Sequence, residues 1–126
     1  MNLERETSSN QREFLARIAS EVIRFTLKSE GRGFAGSEVS VLFTGDGFIA
    51  SLNKKYRNEE GPTDVLSFPM MDFDCEGCEP GISEIPDMLG DVVISLDTAA
   101  RQAESHGRPL RRELALLLVH GTLHLL

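Results

Sequence analysis

Eight of the last thirteen residues are leucine or valine: Leu114, Leu116, Leu117, Leu118, Val119, Leu123, Leu125 and Leu126. A helix this apolar must lie largely buried, so any fold for the chain has to supply a layer that covers it. The same stretch carries His120 and His124, four residues apart. Positions i and i+4 of an α-helix share a face. Polar rings in an apolar helix need partners. Each ring can bond a carbonyl or carboxylate, but a pair at this spacing also suits one cation, with Zn–N bonds of about 2.0–2.1 Å. A catalytic zinc usually has three protein ligands and an open position, so two histidines are half a site.

The residue after His120 is Gly121. Zinc peptidases of the H-E-x-x-H type carry their general-base Glu there, and its absence weakens a peptidase reading. A glycine inside a helix costs about 1 kcal/mol relative to alanine. Helix packing, or close approach by a backbone or a substrate, would offset that cost.

The chain has 126 residues, which favours one domain over residues 1–126 with a core of its own. Its net charge of −7 disfavours a passive electrostatic nucleic-acid binder but leaves room for an enzyme with a local basic patch. No apolar run suits a signal peptide or a membrane span, so the expected location is cytoplasmic, with no membrane partner. The only cysteines, Cys75 and Cys78, lie in an acidic stretch. Acidic neighbours raise thiol pKa values, and a zinc knuckle needs a second ligand pair, so both read as reduced loop thiols.

Asn10 and Glu13 look like a capping box for an amphipathic helix that ends near Gly31. Residues 38–44 alternate as a strand, and Asp46 is a plausible N-cap for a helix over 47–56. Gly61-Pro62 breaks that helix, and residues 63–68 read as a second strand. Strand, helix and strand so close together suggest a βαβ crossover with parallel strands. Residues 70–87 read as a long loop and 88–95 as a third strand. Ser95 caps a helix over 96–106 that stops at Gly107, and Pro109 opens the last helix.

Four stretches, in order and spacing, resemble one family. They are Leu52-Asn53-Lys54-Lys55-Tyr56-Arg57, Pro62-Thr63-Asp64-Val65-Leu66-Ser67-Phe68-Pro69, Leu89-Gly90-Asp91-Val92-Val93-Ile94-Ser95, and Val119-His120-Gly121-Thr122-Leu123-His124-Leu125-Leu126. Together they resemble the YbeY family of bacterial endoribonucleases, which act in ribosomal RNA maturation and ribosome quality control. The family motif runs H-G-x-L-H-L-x-G-Y-D-H, with three zinc-binding histidines. His120 and His124 match the first two. The third would follow His124 by six positions, so the chain is expected to be a shortened stretch of a longer protein. The resemblance also implies a catalytic role for Arg57. A guanidinium is a fixed positive fork suited to phosphate oxygens, although an arginine at a helix C-terminus also suits the dipole.

The expected fold is α+β, a small mixed sheet covered by helices, with the buried last helix carrying the metal ligands. The expected activity is a zinc-dependent endoribonuclease specific for single strands, acting at the 16S ribosomal RNA 3′ end, with Arg57 catalytic and His120 and His124 on zinc. Water and an RNA 2′-hydroxyl are both open as nucleophile. The expected partners are single-stranded or ribosomal RNA and the ribosome or its proteins, not DNA. A ribosome-associated protein with a structural metal, and a metal-dependent hydrolase of small substrates, are the alternatives. Asp64, Asp91, Thr63 and Ser67 read first as structural, and His106 as a solvated helix-end cation.

Overall fold

A computed structural model describes residues 2–3, 9–30, 37–69 and 87–125. Their elements run β1 (Asn2–Leu3), α1 (Ser9–Ser29), β2 (Ser37–Thr44), α2 (Asp46–Arg57), β3 (Val65–Pro69), β4 (Asp87–Ser95), α3 (Leu96–His106) and α4 (Leu110–Leu125). The strands form one mixed sheet in the order β1-β2-β4-β3. β2 pairs in parallel with both β1 and β4, and β3 pairs antiparallel with β4 at the edge. The fold is α+β. Of the loop assigned to residues 70–87, positions 70–86, with Cys75 and Cys78, lie outside the described residues, and Asp87 opens β4 instead.

Side chains alternate between the two faces of a sheet. Val41, Phe43, Val92 and Ile94 turn to one face and pack with Leu15 and Ala19 of α1 and with Leu114 and Leu118 of α4. Leu66 and Val93 turn to the other face, under Ile49 of α2. The sheet is thus the middle layer, with α1 and α4 on one side and α2 on the other.

The parallel pair is present, but its members are β2 and β4 rather than residues 38–44 and 63–68. The reason lies in residues 58–64. Asn58 takes a left-handed φ of 55° as C-cap of α2, and Gly61 has φ 88°. Asn53 Nδ2 donates to the Gly61 carbonyl at 2.9 Å, and Ser95 N–H donates to the Asp64 carbonyl at 2.9 Å. These bonds return the chain to the end of the sheet where α2 began. β3 therefore runs back down the edge, antiparallel to β4.

Ser95 caps α3 as expected, accepting from Thr98 N–H at 3.2 Å, and Gly107 ends it at φ 66°. Other caps differ by a residue. α1 begins at Ser9, so Asn10 falls inside the first turn instead of before it. The Pro109 carbonyl accepts from Arg112 and Glu113, so Pro109 precedes the first helical residue of α4. Gly45, extended at φ −102°, is the N-cap of α2 and makes no side-chain cap. Asp46 is the first helical residue, and its carboxylate turns toward α3 instead.

The burial of α4 is one-sided. Leu114, Leu117, Leu118, Gly121, Thr122 and Leu125 are buried, while Leu116, Leu123 and both histidines are exposed. Among the described residues no helix is long and apolar enough to cross a membrane.

Candidate active site

His120 and His124 converge. Their Nε2 atoms lie 3.1 Å apart, with ring centroids at 4.4 Å and planes at 70°. The separation fits either one imidazole donating to the other or two lone pairs aimed at one cation. Two nitrogens on one tetrahedral zinc lie about 3.3–3.4 Å apart, given bonds of about 2.0–2.1 Å. The donor set therefore fits zinc after an opening of a few tenths of an ångström. Among the described residues no third His, Cys, Asp or Glu joins the pair.

The flank that carries the pair is set by packing on the rest of α4. Ala115 and Val119 face α1 across a groove. Gly121 faces the sheet: a Cβ there would come within 2.7 Å of Val92 Cγ1, 3.1 Å of Val65 Cγ2 and 3.3 Å of Ser67 Oγ. Gly121 is thus a packing residue that lets α4 cross close over β3 and β4. Ser67 Oγ donates to the Gly121 carbonyl at 2.8 Å, a bond between residues 54 apart in sequence. With two sides so occupied, the histidines take the remaining flank, open to solvent.

Arg57 is the last residue of α2 and is exposed, with Glu59 Oε1 at 3.9 Å. No hydrogen bond or ion pair joins it to either histidine among the described residues. Its helix and the histidine helix instead meet the same strand from opposite faces. Tyr56 packs edge-on against Phe68 at 5.2 Å, and Gly121 sits over Val65 and Ser67. The edge strand β3 is the strut common to both. The residue that sequence reasoning missed is Asn53. Buried at 2% exposure, it accepts at its carbonyl from Asn58 and Glu59 and holds Gly61 through its side chain. Asn53 thereby fixes the turn that follows Arg57.

Asp64 and His106 have partners within the fold. Asp64 Oδ1 accepts from Val65 N–H at 2.7 Å and from the Thr63 hydroxyl at 3.4 Å, and its Oδ2 accepts from Gln102 at 3.2 Å. His106 is not simply solvated: its Nδ1 lies 3.3 Å from Oε1 of the buried Glu113, whose Oε2 has Arg108 at 3.5 Å. The second contact has ion-pair distance without hydrogen-bond geometry. Asp91 is exposed on the sheet face beneath α2.

Asp46 is held by three side chains. Its Oδ1 accepts from Ser95 Oγ at 2.7 Å and Thr98 Oγ1 at 2.6 Å, and its Oδ2 meets Arg101 at 2.8 Å. The Arg101 hydrogen bond, helped by Ser95 and Thr98 and opposed by burial, lowers its pKa from 3.8 to about 2. Asp97 accepts from the Asp46 N–H at 3.1 Å, so the starts of α2 and α3 are stapled together.

The family model for the endoribonuclease YbeY matches residues 1–126. The chain belongs to the YbeY family of endoribonucleases. An endoribonuclease YbeY of Desulforamulus reducens is 44% identical over 126 residues, which is 99% of this chain and 78% of the relative. Another, of Pelotomaculum thermopropionicum, is 50% identical over 112 residues, 89% of this chain and 68% of the relative. A Thermotoga maritima protein of known solution structure matches the fold with a TM-score of 0.58 at 24% identity, covering 98% of this chain and 69% of the other. Membership in the YbeY family makes the chain a nuclease with an RNA substrate.

Proposed function

We propose that the chain is a zinc-dependent endoribonuclease that cuts single-stranded RNA in the cytoplasm. Its role in this reading is maturation of ribosomal RNA at the 16S 3′ end and ribosome quality control, in contact with the ribosome or its proteins. The observation that carries the reading is the 3.1 Å approach of two exposed imidazole nitrogens on a helix fixed to the sheet by Gly121 and Ser67. His120 and His124 would hold the metal through Nε2. When bound, zinc supplies Lewis-acid polarisation at the scissile phosphate. Arg57 engages the phosphate oxygens as a bidentate fork and offsets the charge that develops there. Asn53 positions Arg57 by holding the turn behind it. The missing general-base Glu at Gly121 separates this site from zinc peptidases.

The test is cleavage of a single-stranded RNA by the zinc-loaded protein. Arg57→Ala should lower the rate by about 100-fold or more while leaving zinc content and melting temperature unchanged. Arg57→Lys should restore little, since lysine lacks the fork. Wild-type cleavage by Arg57→Ala would remove Arg57 from the reaction. Cleavage that survives chelation would remove zinc.

A further inference from the structure

The face of the sheet beneath α2 carries a row of side chains across three strands. Ser40 on β2 is paired with Asp91 on β4, which is paired in turn with Phe68 on β3. α2 leans over this row without closing on it and leaves a groove of about 460 Å³. The groove is walled by aromatic rings. Phe48 is 41% exposed and Tyr56 58%, and Tyr56 meets Phe68 edge-on. Large rings left open to solvent around one groove offer flat apolar faces for stacking.

Charge is divided across the groove. Lys55 Nζ lies 5.2 Å from the Tyr56 ring centre, and Arg57 follows at the end of the helix. Lys54 is held by Glu60 at 2.6 Å. On the sheet side, Asp91 is exposed and has no hydrogen bond or ion pair among the described residues. A nucleotide has the complementary division: an anionic phosphate, a flat base, and an edge rich in N–H donors.

We propose that this groove binds one unstacked guanine of single-stranded RNA. The base stacks on Tyr56, its own phosphate lies toward Lys55, and its Watson–Crick edge turns to Asp91. Bases of single-stranded RNA are read in this way, by aromatic stacking and by hydrogen bonds to that edge. An ionised carboxylate only accepts hydrogen bonds. Guanine places two donors side by side, at N1 and N2, and matches both carboxylate oxygens. Uracil places a single N–H between two carbonyls, which the carboxylate repels. Ser40, opposite Asp91, offers a hydroxyl donor to guanine O6. The groove lies on the other face of the sheet from the histidines and selects the sequence near the cut without taking part in the chemistry. This inference rests on the RNA-cleaving reading above.

Tyr56 is the only tyrosine, and the chain has no tryptophan. The lifetime of the protein's intrinsic fluorescence therefore reports this groove alone. The experiment titrates the full chain, in chelator so that no RNA is cut, with the tetraribonucleotides UUGU and UUUU. UUGU should shorten the Tyr56 lifetime and bind about tenfold or more tightly than UUUU. Asp91→Asn should erase that preference, and Phe48→Leu should weaken both ligands. A Tyr56 lifetime indifferent to both RNAs would overturn the proposal and leave the groove to a protein partner. Equal affinities, unchanged by Asp91→Asn, would also overturn it. The two readings fail separately. A protein that cleaves single-stranded RNA with Tyr56 silent keeps the nuclease and loses the guanine groove. One that binds UUGU selectively and never cleaves RNA keeps the groove and loses the nuclease.

Discussion

Asp46 and the His120–His124 pair are opposite ways of placing a polar group at the rim of a sheet. The Asp46 carboxylate takes a serine, a threonine and an arginine, and its backbone N–H takes Asp97. His120 and His124 have only each other among the described residues, at the same kind of distance. A saturated group holds elements together and has nothing left for a ligand. A convergent, exposed and unsaturated pair contributes little to the fold and keeps its lone pairs for something else. Gly121, over β3 and β4, links the pair to the fold, since its packing fixes where the pair stands.

The comparison breaks most readily at Gly121. Gly121→Ala puts a methyl 2.7 Å from Val92 Cγ1, and valine is stiff at χ1. Overpacking of this kind costs about 1–3 kcal/mol, more than the gain of about 1 kcal/mol in helix propensity. Chemical denaturation should show a net loss, and zinc affinity should fall with it because α4 is pushed off β3. A stabilised variant with intact zinc binding would mean that the close crossing does not set the pair.

A narrower effect, on stability alone, is expected at Asp46. Asp46→Ala should destabilise the fold by about 1–2 kcal/mol, the value of charge-assisted bonds at a helix start that is partly solvated. Zinc binding should not change. The pH dependence follows from the sign of the shift. A carboxyl lowered from 3.8 to about 2 on folding stabilises fully above pH 3.8, and the contribution is lost as pH falls through about 2. Acid titration of wild type and Asp46→Ala should therefore converge in that window. Curves that stay parallel down to pH 2 would show that the ionised carboxylate contributes nothing.

The smallest effect is expected at the cysteines. Cys75→Ser with Cys78→Ser should leave zinc stoichiometry and melting temperature unchanged, as measured by metal analysis and calorimetry. Loss of one zinc equivalent would move the metal away from the histidines.

Local signals in the sequence hold where local chemistry decides the outcome. Ser95 and Gly107 bound α3 because a hydroxyl cap and a left-handed stop act within a few residues. His120 and His124 share a face because helical spacing requires it. The direction of β3 was not legible, because it depends on a turn held by Asn53 from one side and Ser95 from the other. The role of Asp46 is hidden for a related reason: its partners lie about fifty residues away, at the end of β4 and on α3. The reason for Gly121 was equally out of reach, since its neighbours Val65, Ser67 and Val92 come from two strands. Arg57 was singled out by resemblance, and what its surroundings add is the buried Asn53 behind it.

In the proposed function, His120 and His124 act together on one zinc through Nε2. Imidazole ¹⁵N–¹H correlation spectra of the full chain during a zinc titration test it directly, with His106, the third histidine, as internal control. The Nε2 resonances of His120 and His124 should move together and saturate at one equivalent, while His106 stays put. Persistence of an Nε2–H signal on either ring of the pair at saturating zinc, or a shift of His106 in their place, would contradict it.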